Sequence, residues 1–350
     1  MSGIFHQLLQ EVGATKPQQT AVPPRLFPIK NRVSLIGTVG AGKSTVVGGV
    51  VMTAETLVAD DPNFFCRVIE GTSEIHEDVS KLRDGHFPTK TVPFGAFASE
   101  AGLLMEWEKR VGLGPISAKV GTKMLQLPIC DVSGEDLSYM IRQVRAVGPL
   151  GNIAKQAVRN LIAYVRESDG FIITIKATRA KGLFQKGKQL ELEQDEKLSA
   201  DPDVNLVRLL EDLMNYKQTH RSRPIKGVAV VITAWDRLKS EAERIGFDIL
   251  NPMVGQSDLH NFVKACFPAV YAAIKSLRIP NVAYFPSFFE TETNEDNTEK
   301  PWPDGTPQIK QRRTDVGNPD EWWRDLRKIS YSERSYVDLI EWLKQFAYTV

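Results

Sequence analysis

The chain has 350 residues, 42% of them hydrophobic, enough for a substantial core in one large domain or two ordinary ones. Lysine and arginine total 44 against 43 aspartates and glutamates, and a balance of +1 argues against a general attraction to nucleic acid or anionic lipid. Cys66, Cys130 and Cys266 have neither paired spacing nor a histidine framework, which speaks for reduced thiols and against a disulfide scaffold or a zinc site.

In chain order, residues 1–30 read as an N-terminal appendage: Ile4, Leu8 and Leu9 suit a short helix, and Lys16 to Pro24 an extended linker. The opening residues Met1 to Gln7 lack a basic region followed by an apolar stretch, and no apolar run approaches a membrane span. No integral membrane segment is expected, and a cytoplasmic location is the simplest expectation.

Asn31 to Ile36 is a short β-type run. Gly37-Thr38-Val39-Gly40-Ala41-Gly42-Lys43-Ser44-Thr45 follows, and Val46 to Met52 then suits a buried helix. This is strand, glycine loop and helix around the pattern G-x-x-x-x-G-K-[ST], the Walker A phosphate loop. Each fixed residue has a physical reason. Glycines let several backbone N–H groups converge on a phosphate without a Cβ in the way, and the helix start adds partial positive charge. Lys43 would reach the β- and γ-phosphates, and the Ser44 hydroxyl would take one position on Mg²⁺. The nucleotide-contacting set in this stretch is Val39, Gly40, Ala41, Gly42, Lys43, Ser44 and Thr45.

Asn63 to Glu70 can form a strand, and Ser73 to Leu82 a helix with Ile75, Val79 and Leu82 at helical spacing. The turn-rich Arg83 to Thr91 cannot continue that helix and is where a loop sensing the γ-phosphate should lie. Met105, Trp107 and Val111 suggest packing on another helix or hairpin. Lys123 to Cys130 suits a sheet strand running into Asp131-Val132-Ser133-Gly134-Glu135, a D-x-x-G arrangement. There Asp131 would hold Mg²⁺ through water and the Gly134 N–H would meet the γ-phosphate.

Gly151 to Val165 looks helical, Gly170 to Lys176 is a near-continuous apolar strand, and Arg179 to Ala200 becomes charged and loop-like. Asp201 or Asp203 can cap a helix carrying Leu206, Leu209, Leu210 and Leu213 on one face. Lys226 to Thr233 is the clearest strand and ends in Ala234-Trp235-Asp236. Ser257 to Ser276 reads as helical, and Asn281 to Pro286 as a strand ending at Ser287. Strands alternating with helices predict an α/β fold, a mostly parallel sheet with helices on both faces and ligand at the strand C-terminal ends. Glu290 to Ser330 reads as a long loop anchored by tryptophans. In the closing segment Tyr336, Leu339, Ile340, Leu343 and Ala347 follow helical spacing.

The succession of phosphate loop, threonine-containing loop, Asp131-Val132-Ser133-Gly134 and Thr233-Ala234-Trp235-Asp236 resembles the P-loop GTPases of the Ras-like and translation-factor class. The resemblance covers Arg32 to Phe289. It implies a G-domain-like unit over 31–289, with insertions near 92–122 and 177–200 and a C-terminal loop and helix over 290–350. Asp236 and Thr233 match the fourth motif, N/T-K-x-D, whose aspartate reads guanine; Ala234 stands in place of its lysine. Ser287 sits where the fifth motif contacts the base, with Phe288 and Phe289 in place of its small residue and lysine. Leu82-Arg83-Asp84-Gly85-His86-Phe87-Pro88-Thr89-Lys90-Thr91 is similar to the L-x-x-G-x-W-P-x-x-T switch of the double-GTPase families. That alignment favours Thr91 over Thr89 as the threonine binding Mg²⁺ and the γ-phosphate.

The resemblance thus implies Lys43, Thr91, Gly134 and Glu135 in catalysis and Ser44, Thr91 and Asp131 around Mg²⁺. Thr233, Asp236 and Ser287 would join the phosphate loop in binding GTP or GDP. Glu135 replaces a water-positioning glutamine and could orient water or be a surface charge, Val39 would crowd an incoming arginine finger, and Arg179 and Arg83 could each serve as a cis arginine, although a solvated surface charge is the first reading of both. The expected activity is a GTP-hydrolysing molecular switch, slow without a partner. Its expected partners are a protein effector or regulator and, by analogy, a nucleotide-dependent second copy. A P-loop ATPase driving assembly or mechanical work, and a nucleotide-bound scaffold with little turnover, are the alternatives.

Overall fold

The computed structural model describes residues 33–38, 40–60, 64–70, 73–88, 103–111, 118–127, 166–180, 202–219, 224–238, 255–294, 299–312, 328–346 and 348–349. Along the chain these form β1 (Val33–Gly37), α1 (Lys43–Asp60), β2 (Phe64–Glu70), α2 (Ser73–Arg83), β3 (Leu103–Val111), β4 (Ala118–Leu127) and β5 (Gly170–Lys176). There follow α3 (Pro202–Thr219), β6 (Gly227–Thr233), α4 (Gln256–Cys266), α5 (Pro268–Ser276), β7 (Val282–Pro286), β8 (Gln311–Arg312), β9 (Lys328–Ile329), α6 (Glu333–Leu343) and β10 (Tyr348–Thr349).

The apolar runs that lack polar alternation lie where both faces are covered. β1, β5, β6 and β7 form a wholly parallel sheet in the order β1-β5-β6-β7. Every residue of β6 is buried, which is why Gly227 to Thr233 reads as a continuous apolar strand. The strand period of two sends its side chains alternately to two cores. Val228, Val230 and Ile232 join Phe171, Ile173 and Ile175 beneath the leucines of α3 and the apolar faces of α4 and α5. Ala229 and Val231 join Val33, Leu35 and Ile172 against α1, α2 and α6. This is an α/β P-loop NTPase architecture, as expected.

Helix α3 begins at Pro202, a residue suited to the first helical position because its missing N–H would have no partner there. Asp203 therefore lies inside the helix, and Leu206, Leu209, Leu210 and Leu213 are all buried. Helix α1 carries adjacent glycines for a steric reason. A Cβ on Gly48 would lie 2.2 Å from Leu82 Cδ1 of α2, and one on Gly49 would lie 2.2 Å from Tyr336 Cζ of α6. Two helices therefore press on the helix that follows the loop. This close approach outweighs the helix-propensity cost of about 1 kcal/mol per glycine.

Two expectations change. Lys123 to Cys130 does not join the parallel sheet as a βαβ unit would: β4 starts at Ala118 and pairs antiparallel with β3 and β10, while β3 pairs antiparallel with β2. The short connection between β3 and β4 permits a hairpin, and a parallel crossover would need many more residues. The segment from Glu290 is also less loop-like than its composition suggests. Bridges join Phe289 to Tyr331, Thr291 to Ile309 and His86 to Gln308, and β8 pairs with β9. Trp302 stacks on His86 with ring centroids 4.1 Å apart. In α6, Tyr336, Leu339, Ile340 and Leu343 pack into the core as their spacing implies. Ala347, residues 1–30, the helix expected over 151–165 and the charged stretch over 181–200 lie outside the described residues.

Candidate functional site

The parallel register brings the strand ends to one edge, with Gly37 opposite Thr174, Lys176 opposite Thr233 and Ile232 opposite Pro286. The loop after β1 turns there through Gly40 at φ 66° and Gly42 at φ 74°, the left-handed region that a side chain disfavours. The Ala41 N–H donates to the Thr38 carbonyl at 3.2 Å, and the Val46 N–H to the Gly42 carbonyl at 2.9 Å, which closes the first turn of α1. No acidic residue stands in that turn, so the positive end of the helix is uncompensated by its own side chains.

Lys43 is buried, and its ammonium donates to the carbonyls of Gly37 at 3.2 Å and Thr38 at 3.1 Å. A cation is thereby held inside the turn. Ser44 and Thr45 follow, half-buried, in the first turn of α1. Thr233 fixes the loop from the other side: its hydroxyl is shared between the Ala41 carbonyl at 2.9 Å and the Ile175 carbonyl at 3.2 Å. A Cβ on Gly42 would also press on Thr233 at 3.3 Å. The glycine loop is thus braced against the ends of β5 and β6.

Beyond Thr233 the chain makes a sharp corner at Ala234, φ 52°, and enters a single 3-10 turn, Trp235–Leu238. The Trp235 N–H donates to the Ser287 carbonyl at 3.2 Å, tying this turn to the end of β7. Half-buried Asp236 follows. Burial pushes its carboxyl up to about 6; Arg237 opposes that shift, and Glu299 and Glu290 add to it. Arg237 is paired with Glu299, while Glu290 accepts from Lys310 at 2.8 Å and from the Ser330 hydroxyl at 2.7 Å. The charge environment of Asp236 is therefore shared between its neighbour Arg237 and two carboxylates more than fifty positions away.

Ser287 faces the core. It is buried, its hydroxyl lies 2.6 Å from the Tyr336 hydroxyl, and its N–H donates to the Ile232 carbonyl at 2.7 Å. Burial raises the Tyr336 hydroxyl well above its ordinary value. The two candidate arginines separate. Arg83 is exposed and pairs with Glu55 on α1. Arg179, in the turn Ala177–Arg179 after β5, donates from Nη1 to the Thr38 hydroxyl at the glycine loop.

Val39, Thr91, Asp131, Gly134 and Glu135 lie outside the described residues, as does Thr89. Among the described residues no cluster of three His, Cys, Asp or Glu side chains is placed to hold a metal. Of the expected magnesium ligands only Ser44 is described. The segment leading to Thr91 is described as far as Pro88: Gly85, φ 85°, has its carbonyl held by the Ile309 N–H at 2.8 Å and the Trp302 indole N–H at 3.2 Å.

The model of the Double-GTPase 1 family matches residues 109–245, which run from the end of β3 past the turn of Asp236. The chain resembles the double GTPases. The match covers less than half of the chain and does not include the glycine loop, so loop and family model are separate observations pointing the same way. The double-GTPase likeness implies, at a coarse level, a GTP-binding and GTP-hydrolysing domain. No curated protein matches the chain. Among the described helices none is long and apolar enough to cross a membrane.

The residues that sequence reasoning missed here are Glu290, Glu299 and Lys310 around the fourth motif, and Thr38 as a partner of Arg179. Nothing local marks them. A run of Pro, Asn, Asp and charge reads as a long loop anchored by tryptophans, whereas bridges from Phe289 to Tyr331 and Thr291 to Ile309 order it and Glu299 pairs with Arg237.

Proposed function

We propose that the chain is a magnesium-dependent GTP-hydrolysing switch. The observation that carries this reading is a glycine loop already folded around Lys43 and braced by Thr233, with Asp236 one turn further along the same strand end. In it, the N–H groups of residues 40–45 and Lys43 bind the phosphates, and Thr233 keeps the loop in register with the base-reading turn. Asp236 accepts from the guanine N1–H and 2-amino groups. Ser44, a hard oxygen donor in the first turn of α1, suits Mg²⁺, which keeps waters and takes few protein ligands. Thr91 and Asp131 would complete its surroundings, Gly134 would meet the γ-phosphate and Glu135 would orient water.

Mg²⁺ would neutralise charge on the phosphates. This chain's residues position the nucleotide and hold its terminal phosphoryl against attack by water. The two loops around Thr91 and Gly134 would order with the triphosphate and relax after hydrolysis, presenting different surfaces to an effector, a regulator or a second copy. Ser287 contributes through its backbone, which holds Trp235, and through Tyr336 on the core side.

Fluorescent GDP binding with Mg²⁺, competed in turn by GTP, GDP, ATP and ADP, tests this. Guanine nucleotides should displace the probe and adenine nucleotides should not. Equal displacement by adenine nucleotides would replace the GTPase with an ATPase on the same loop, and guanine binding without phosphate release would leave a nucleotide-bound scaffold.

A further inference from the structure

β5 and β6 end side by side, Lys176 opposite Thr233, and each is followed by a short turn, 177–179 and 235–238. The second carries Asp236. The first ends on Arg179, whose guanidinium Nη1 donates to the Thr38 hydroxyl while Nη2 stands 3.8 Å from the position a Cβ on Gly40 would occupy. Both are residues of the glycine loop.

The backbone beneath Arg179 is fixed. Ala177 and Ala180 on either side are buried in the core, and the Ala180 N–H donates to the Ala177 carbonyl at 3.0 Å. Gly40 has no side chain to block the approach, and its positive φ keeps it so. Lys43 meets the same Thr38 from within, through its carbonyl. The loop therefore carries two cations: an ammonium inside the turn, and a guanidinium whose planar fork can hydrogen-bond phosphoryl oxygens in pairs. The other candidate, Arg83, is exposed, and the contact described for it is with Glu55 of α1, not with the glycine loop.

We propose that Arg179 is an arginine finger supplied in cis, a catalytic residue that moves from Thr38 to the terminal phosphoryl group of the bound nucleotide. The assignment rests on the hydrolysis proposed above. In that step a water oxygen bonds to the γ-phosphorus, and the bond from that phosphorus to the β–γ bridging oxygen breaks with its electron pair on the oxygen. GTP⁴⁻ and water become GDP³⁻, HPO₄²⁻ and a proton released to solvent. Arg179 gains and loses no proton, because guanidinium stays charged; it donates N–H bonds to oxygens whose negative charge grows.

The test uses the full chain as wild type, Arg179→Ala and Arg179→Lys, with two readouts: single-turnover GTP hydrolysis, and GDP binding with and without aluminium fluoride, which mimics the phosphoryl in transfer. Hydrolysis should fall by about 10³-fold in Arg179→Ala, with GDP affinity unchanged and the tightening by aluminium fluoride lost. Arg179→Lys should recover only a minor part, since a point charge lacks the fork. Wild-type hydrolysis and wild-type tightening in Arg179→Ala would overturn the proposal while leaving the GTPase reading intact. An equal loss of GDP affinity in both variants would also overturn it, because Arg179 would then serve ground-state binding. A wild-type chain that binds GDP but neither hydrolyses GTP nor tightens with aluminium fluoride would remove the hydrolysis reading and this role with it. If adenine nucleotides are preferred, ATP and ADP replace GTP and GDP with the same expected outcomes, since Arg179 faces the glycine loop.

Discussion

The two ends of the candidate site are built differently. At the glycine loop the geometry comes from a short stretch of backbone: two positive-φ glycines, one buried lysine bonded to carbonyls five and six residues behind it, and a helix start. At the turn of Asp236 the backbone supplies a corner, but Arg237, Glu299 and Glu290, the last two from the C-terminal segment, set the charge. The difference teaches that the glycine loop takes most of its geometry from consecutive residues, with Thr233 and Arg179 reaching it from the neighbouring strand ends, whereas the charge around Asp236 combines its neighbour Arg237 with carboxylates from a distant part of the chain.

The largest expected effect breaks the first end. Lys43→Ala removes a buried cation and leaves two carbonyls without their donor, so GDP and ADP should both lose about 3 kcal/mol or more of any binding, read by titration of the fluorescent nucleotide. Asp236→Asn should break the second end alone. GDP affinity should fall by about 2 kcal/mol, as expected for hydrogen bonds to a charged acceptor, with adenine nucleotide affinity unmoved. Unchanged guanine preference would remove Asp236 from recognition.

Acidity should also separate the ends. With the Asp236 carboxyl pushed up to about 6, the free site is protonated below that pH and cannot accept from the guanine N–H groups. GDP affinity should therefore drop as pH falls through about 6, by up to about tenfold per unit, and Asp236→Asn should flatten the profile. The same shift acts on folding in the opposite sense. A carboxyl raised in the fold binds a proton more readily there than in the unfolded chain. The stability contribution of Asp236 is therefore greatest below the unfolded value of 3.8 and declines as pH rises from 3.8 to about 6.

Smaller effects sharpen the comparison further. Arg237→Ala removes the cation opposing the shift, and should move the midpoint of GDP binding to higher pH. Glu299→Gln removes one of the anions that add to it, and should move the midpoint lower. Arg83→Ala should leave turnover and nucleotide affinity within about twofold of wild type, because an exposed pair with Glu55 contributes little.

How much of this was legible in advance follows the same division. The loop, its flanking strand and helix, the nearly all-apolar β5 and β6 and the leucine face of α3 could be read directly, since each is specified by residues within one turn or one strand. The hairpin of β3 and β4 was half visible: Met105, Trp107 and Val111 suited another helix or a hairpin alike, and nothing within Lys123 to Cys130 placed that strand outside the parallel sheet. Ser287 lay at the expected strand end, but which way its hydroxyl turned depended on Tyr336, nearly fifty residues on. Arg83 and Arg179 were indistinguishable as letters in a charged stretch.

By itself, then, the sequence determined the parts whose physics is short in range. These are the glycine conformations, the helix start, the cation at the loop and the apolar strands that must be buried on both faces. Only the tertiary structure decided which arginine reaches the loop, which carboxylates surround Asp236, and why α1 carries two glycines where Leu82 and Tyr336 press in. These choices depend on contacts between residues far apart in the chain. Their positions are fixed by the register of a buried parallel sheet and by the helices that pack on both of its faces.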